Sequence, residues 1–143
     1  MFEKIKLDPL NQFYPVKLDK IKNSESKLAI QIPEFLKEFY VEVGYGFLKS
    51  KVDNINHLMN PESVLDFRLR QHDFEFYPDI EIYNQFEDDK LVFFEANEVA
   101  LLSIGFAAEN KGKIYYYDKE IAPNLVDLLE RLMEDDTFYY DLI

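Results

Sequence analysis

Between Lys90 and Asp118 the chain repeats one pattern three times. Leu91-Val92-Phe93-Phe94, Val99-Ala100-Leu101-Leu102-Ser103-Ile104 and Ile114-Tyr115-Tyr116-Tyr117 are short runs of aromatic or branched residues, the composition that suits a pleated, half-buried strand. What joins them decides the architecture. Asn97 and Glu98 separate the first two, and Ala107 through Gly112 separate the second and third. Parallel strands need a crossover of roughly a dozen residues or more, whereas hairpins close over a few. The runs are therefore predicted to be antiparallel neighbours. Residues 49–57 and 74–83 are expected to add strands at the edges.

Around this centre the periodicity is helical. Pro33 suits the first turn of a helix, and Leu36, Phe39, Tyr40 and Val43 recur at the three-and-four spacing of one buried face, with Glu34, Glu38 and Glu42 opposite and Gly44 as the stop. Leu18, Ile21 and Leu28 outline a shorter helix upstream. Asn60 before Pro61 reads as the cap of a third helix reaching about Arg70, with either Val64 and Phe67 or Leu65 and Leu69 facing inward. Pro123 opens a last helix, in which Leu125, Leu128, Leu129, Leu132 and Met133 share one stripe against Asp127, Glu130, Arg131 and Glu134. The order predicts an α+β fold: a mostly antiparallel sheet with helices packed on one side.

At 143 residues and 48% hydrophobic, the chain is expected to form a single domain over residues 1–143, because chains divide only above roughly 250 residues. Sixteen Lys and Arg against 28 Asp and Glu leave a formal charge of −12, which repels a phosphate backbone and an anionic bilayer. Neither nucleic acid nor membrane is an expected partner. Absence of Cys removes thiolate nucleophiles and thiolate metal sites. The opening residues lack the apolar run of a signal peptide, so a cytoplasmic protein is expected. The acids are concentrated: residues 71–98 hold nine against Lys90 alone, and residues 118–143 hold eight against Lys119 and Arg131.

Catalytic material is sparse. There are two histidines, His57 and His72, and no Gly-x-Ser-x-Gly elbow surrounds any serine. His72 with Asp73 and Glu75 could ligate a cation, but the spacing matches no metal loop, and the acids read better as the wet face of an edge strand. Gly44-Tyr45-Gly46 lacks the Lys-Ser/Thr ending of a phosphate cradle and reads as a helix stop and turn. We expect no catalytic residue, no cofactor and no metal. An acidic surface carrying aromatics suits docking on a basic protein, where charge raises the encounter rate and rings anchor the contact. The expected contact residues are Tyr45 and Phe47 with Asp73, Glu75, Asp79, Glu81, Asp88 and Asp89.

The segment Ile30-Gln31-Ile32-Pro33-Glu34-Phe35-Leu36-Lys37-Glu38-Phe39-Tyr40, running into Gly44-Tyr45-Gly46-Phe47, with Glu25 and Leu28 upstream, resembles the SUKH superfamily. That superfamily includes the Smi/Knr-type regulators of cell-wall synthesis and many bacterial immunity proteins. The resemblance extends over roughly residues 16–135, through Asn60-Pro61-Glu62-Ser63-Val64, the central strands and the closing helix. Members often carry a tryptophan in the sheet or at the glycine turn; here Tyr45 and Phe47 take the aromatic positions. The resemblance implies a noncatalytic α+β module. As an immunity protein it would neutralise a cognate toxin by direct binding; the alternative it implies is a cytoplasmic regulator or scaffold of the cell-wall-synthesis type.

Overall fold

Among the described residues, seven strands follow one another across a single sheet in sequence order, and every neighbouring pair is antiparallel. The computed structural model describes residues 2–48, 55–96 and 100–142. In chain order the elements are α1 (Glu3–Lys6), β1 (Gln12–Tyr14), α2 (Leu18–Leu28), α3 (Glu34–Glu42), β2 (Tyr45–Phe47), β3 (Asn56–Leu58), α4 (Pro61–Leu69), β4 (Lys90–Ala96), β5 (Ala100–Gly105), β6 (Ile114–Tyr116), β7 (Lys119–Ala122) and α5 (Leu125–Glu134). Short 3-10 helices cover His72–Phe74, Ile80–Phe86 and Phe138–Leu142.

The central hairpins stand where the aromatic runs put them, with Leu91 opposite Ile104 and Ile104 opposite Ile114. Consecutive residues of β4 and β5 are buried, so both faces are covered there. At β1 and β2 the covering thins, and Tyr14 and Phe47 stay 57% and 46% exposed.

Helix α3 buries Leu36, Phe39, Tyr40 and Val43 as its spacing predicts, with Pro33 as its N-cap. The Phe39 ring meets Phe2 at 5.1 Å and Phe13 of β1 at 5.6 Å, both edge-on. Tyr40 donates its hydroxyl hydrogen to the Met59 carbonyl at 2.6 Å, and burial raises that phenol far above its usual range. Glu25 of α2 explains the acid upstream of this block: its carboxylate accepts from the Ile32 N–H at 2.8 Å and meets Lys37 Nζ at 3.1 Å, tying α2 to the start of α3.

The Asn60 side chain accepts from the Ser63 N–H at 2.7 Å, and Val64, Leu65 and Phe67 are buried while Leu69 is exposed. Replacing Asn60 by Ala should lower stability by about 1 kcal/mol, the usual cost of a lost N-cap, read as a shifted urea midpoint at unchanged slope; an unmoved midpoint would mean the cap contributes nothing. In α5 the cap is Asn124, whose side chain accepts from Asp127 N at 2.8 Å, with Pro123 just outside.

Three expectations are corrected. Residues 74–83 form no strand: His72 and Asp79 take left-handed backbone at φ 54° and 58°, and short 3-10 turns follow each. Buried and half-buried rings and aliphatics at Phe74, Tyr77, Ile80, Tyr83 and Phe86 recur every third residue, the period of a 3-10 helix rather than of a strand. Tyr45-Gly46-Phe47 is strand β2 and not only a turn. Of the edge strand expected at 49–57, residues 56 and 57 lie in β3, and residues 49–54 fall outside the described set.

Candidate functional site

Pairing places one row of side chains on a common sheet face. Tyr14 sits opposite Tyr45, Phe47 opposite His57, His57 opposite Glu95, and Glu95 opposite Leu101. Side-chain contacts follow the register. The rings of Tyr14 and Tyr45 lie 5.8 Å apart, Phe47 stacks on His57 at 4.6 Å and 27°, and His57 Nδ1 meets Glu95 Oε1 at 3.0 Å. The charge of Glu95 in turn reaches Tyr77, whose phenol is raised first by burial and then by that carboxylate. Glu95 lies opposite Leu101, which lines a pocket together with Tyr77 and Asp79; Asp73, Glu75, Asp79 and Glu81 are all exposed, with Phe76 beside them at 87% exposure.

Through His57, Glu95 and Leu101 the face of Phe47 thus adjoins the pocket residues Tyr77 and Asp79, whereas Asp88 and Asp89 lie apart from it. They precede Lys90, the first residue of β4, which is itself about 17 Å from Glu95 along the strand at roughly 3.3 Å per residue. Asp89 pairs with Lys90 Nζ at 2.8 Å, and its carbonyl accepts from Phe106 N at 2.9 Å. Asp88 lines a small hollow with Arg68, Arg70, Asn84 and Glu87. There Arg70 Nη2 donates to Glu87 Oε1 at 2.5 Å and Arg68 Nη1 donates to the Lys90 carbonyl at 3.1 Å. Burial raises the Glu87 carboxyl against the opposing pull of Arg70 and Arg68. This network fastens the 3-10 segment to α4, a structural duty.

His72 binds Asp66 through Nδ1 at 2.9 Å, and this hydrogen bond raises its pKa. Among the described residues no group of three or more His, Asp or Glu is placed to hold a metal ion. Tyr14, His57 and Glu95 were missed as members of the row. A three-residue strand carries too little alternation to announce its pairing, and His57 in isolation reads as a strand-end residue. The signal for Glu95 was available: a carboxylate closing an otherwise apolar run in a central strand.

A pocket of about 440 Å³ continues the row beyond Glu95, lined by Tyr77, Asp79, Tyr83, Leu101 and Tyr117 among others. Rings beside carboxylates are an arrangement that anchors protein contacts.

The family model described as SUKH_6, SMI1-KNR4 cell-wall, matches residues 18–129, from the first residue of α2 into α5. The chain belongs to the SUKH family. A relative named "Immunity protein YxxD", from Bacillus subtilis (strain 168), is 51% identical over 139 residues, covering 97% of this chain and 95% of that protein. The SUKH match takes in the Pro33–Phe47 block, the α4 cap and the central strands. Among the described residues no helix is long and apolar enough to cross a membrane.

Proposed function

We propose that this SUKH chain is an immunity protein, a noncatalytic module that acts in the cytoplasm and neutralises a cognate bacterial toxin by binding it. The observation that carries the reading is the 51% identity, over nearly the whole chain, with a protein named as an immunity protein. The charge of −12 supports a basic partner, because complementary charge speeds encounter. The docking face is the row through Tyr45 and Phe47 to the acids Asp73, Glu75, Asp79 and Glu81, with Asp88 and Asp89 as outlying charges that steer the approach.

The test is co-production with the toxin domain encoded by the adjoining gene, scored by host survival, followed by stopped-flow association of the purified pair. Wild-type chain should restore growth. Reversing Asp73, Glu75, Asp79 and Glu81 to Lys should slow association about tenfold or more at low salt and flatten its salt dependence, while stability to urea falls by no more than about 1–2 kcal/mol, the cost of a Lys on the left-handed backbone of residue 79. Reversing Asp88 and Asp89 should have a smaller effect. Failure to protect, with co-purification of cell-wall-synthesis proteins instead, would replace this reading by the regulatory one. Unchanged association in all six reversals would move the interface off this face.

A further inference from the structure

The pocket beside Glu95 has walls that a flat surface contact does not need. The Tyr83 and Tyr117 rings stand 5.4 Å apart at 32°, and Tyr117 is backed by Phe86 at 5.3 Å. Tyr77 forms a further wall, Leu101 is buried in the sheet beneath, and Asp79 is the exposed acid of the lining. The Tyr83 hydroxyl is already engaged by Tyr117 and the Leu101 N–H, so the walls are fixed by their own contacts. Two lining residues, Asp79 and Tyr117, hold left-handed backbone at φ 58° and 55° without being glycine. Such conformations persist only where the surroundings enforce them, and here both residues line one pocket.

An open cavity with aromatic walls, an aliphatic floor and one carboxylate at the mouth is matched to a particular guest. A guanidinium is planar, stacks on phenol faces, sheds water more readily than an ammonium and binds a carboxylate through its N–H fork, while its methylene stem covers apolar surface. We propose that this pocket receives a single arginine side chain from the basic partner, laid against its tyrosine wall with its guanidinium on Asp79 and within the field of Glu95. The site rests on the immunity reading for its partner and goes beyond it in naming the anchor. It commits the partner to one exposed arginine whose loss is felt more than the loss of a neighbouring basic residue, as expected of an anchor in a pocket.

The experiment uses the intact chain and a defined probe. Nα-acetyl-arginine amide is titrated into isotopically labelled protein and followed by NMR. Resonances of Tyr77, Asp79, Tyr83, Leu101 and Tyr117 should shift together and saturate with a dissociation constant on the order of millimolar. Nα-acetyl-citrulline amide, a neutral isostere, should leave them in place, and Nα-acetyl-lysine amide should bind several-fold more weakly. Asp79→Asn tests the carboxylate without disturbing the turn, because Asn tolerates left-handed backbone; it should weaken the arginine response about three- to tenfold. Shifts spread over exposed acids with no maximum at the pocket, a citrulline response equal to that of arginine, lysine binding as tightly as arginine, or an unaltered response in Asp79→Asn would each overturn the assignment. Protection by a chain that ignores arginine would remove the pocket and keep the immunity reading. Arginine capture by a chain that does not protect would do the reverse.

Discussion

Phe39→Ala should unfold at a much lower urea concentration than wild type, with a loss of about 3–5 kcal/mol, the usual cost of deleting a buried phenyl ring. Phe39 has no exposed surface and sits where α3, β1 and the N-terminal segment converge, edge-on to both Phe2 and Phe13. Its deletion opens a cavity that α3 cannot close over, because the helix is held elsewhere, Tyr40 by Met59 and its start by Glu25. A domain of this size has about 5–15 kcal/mol in all, so the variant should lie near the edge of folding at 37 °C. Chemical denaturation at unchanged slope is the measurement, and an unmoved midpoint would remove α3 from the place described.

Gly44→Ala should be nearly as damaging for a different reason. Gly44 has φ +120°, and a Cβ there would collide with the Tyr14 carbonyl oxygen and the adjoining Pro15 nitrogen. Positive φ on an ordinary residue costs about 1–3 kcal/mol, and relieving the clash needs β1 to move off β2, an overpacking cost of similar size. The expected loss is about 3 kcal/mol, together with faster amide exchange in residues 12–14, which the Phe39 variant does not single out. Gly46, at φ +143° and with the Gln12 carbonyl equally close, shows the same demand two residues on. Wild-type exchange in β1 of Gly44→Ala would mean that the backbones are not in this contact.

How far the fold could be read in advance depended on the length of each element. Helices α3 and α5 repeat their buried residues often enough for the period to show, strands β4 and β5 read as continuous apolar runs, and Asn60 announced its own cap. Strands β1 and β2 have three residues each, too few to establish alternation, and their pairing is fixed by an interaction absent from any local pattern: two glycines that let one backbone lie against another. The segment from Phe74 to Phe86 misled because Phe74 and Phe76 alternate with acids. Phe76 faces solvent, and the residues that pack recur every third position. Tyr45, Phe47 and the acids of residues 73–81 were legible as candidates for a docking face, which is the role proposed for them. The residues through which Phe47 adjoins Tyr77 and Asp79, namely His57, Glu95 and Leu101, come from β3, β4 and β5, and their juxtaposition exists only once the sheet has formed.

A sheet in plain sequence order has two outer strands, and in this protein both are poor templates for another chain. Strand β1 offers three residues and then Pro15, which has no N–H to donate; β7 is four residues long and begins with exposed Lys119 and Glu120. Short strands, proline and charge are the means by which sheets avoid edge-to-edge aggregation. Recognition by strand addition, in which main-chain hydrogen bonds supply affinity almost regardless of sequence, is thereby discouraged, and discrimination falls to side chains. Partner choice in such a protein can drift by single substitutions on a fixed scaffold, so closely related chains of this fold can diverge in what they bind while keeping every strand in register.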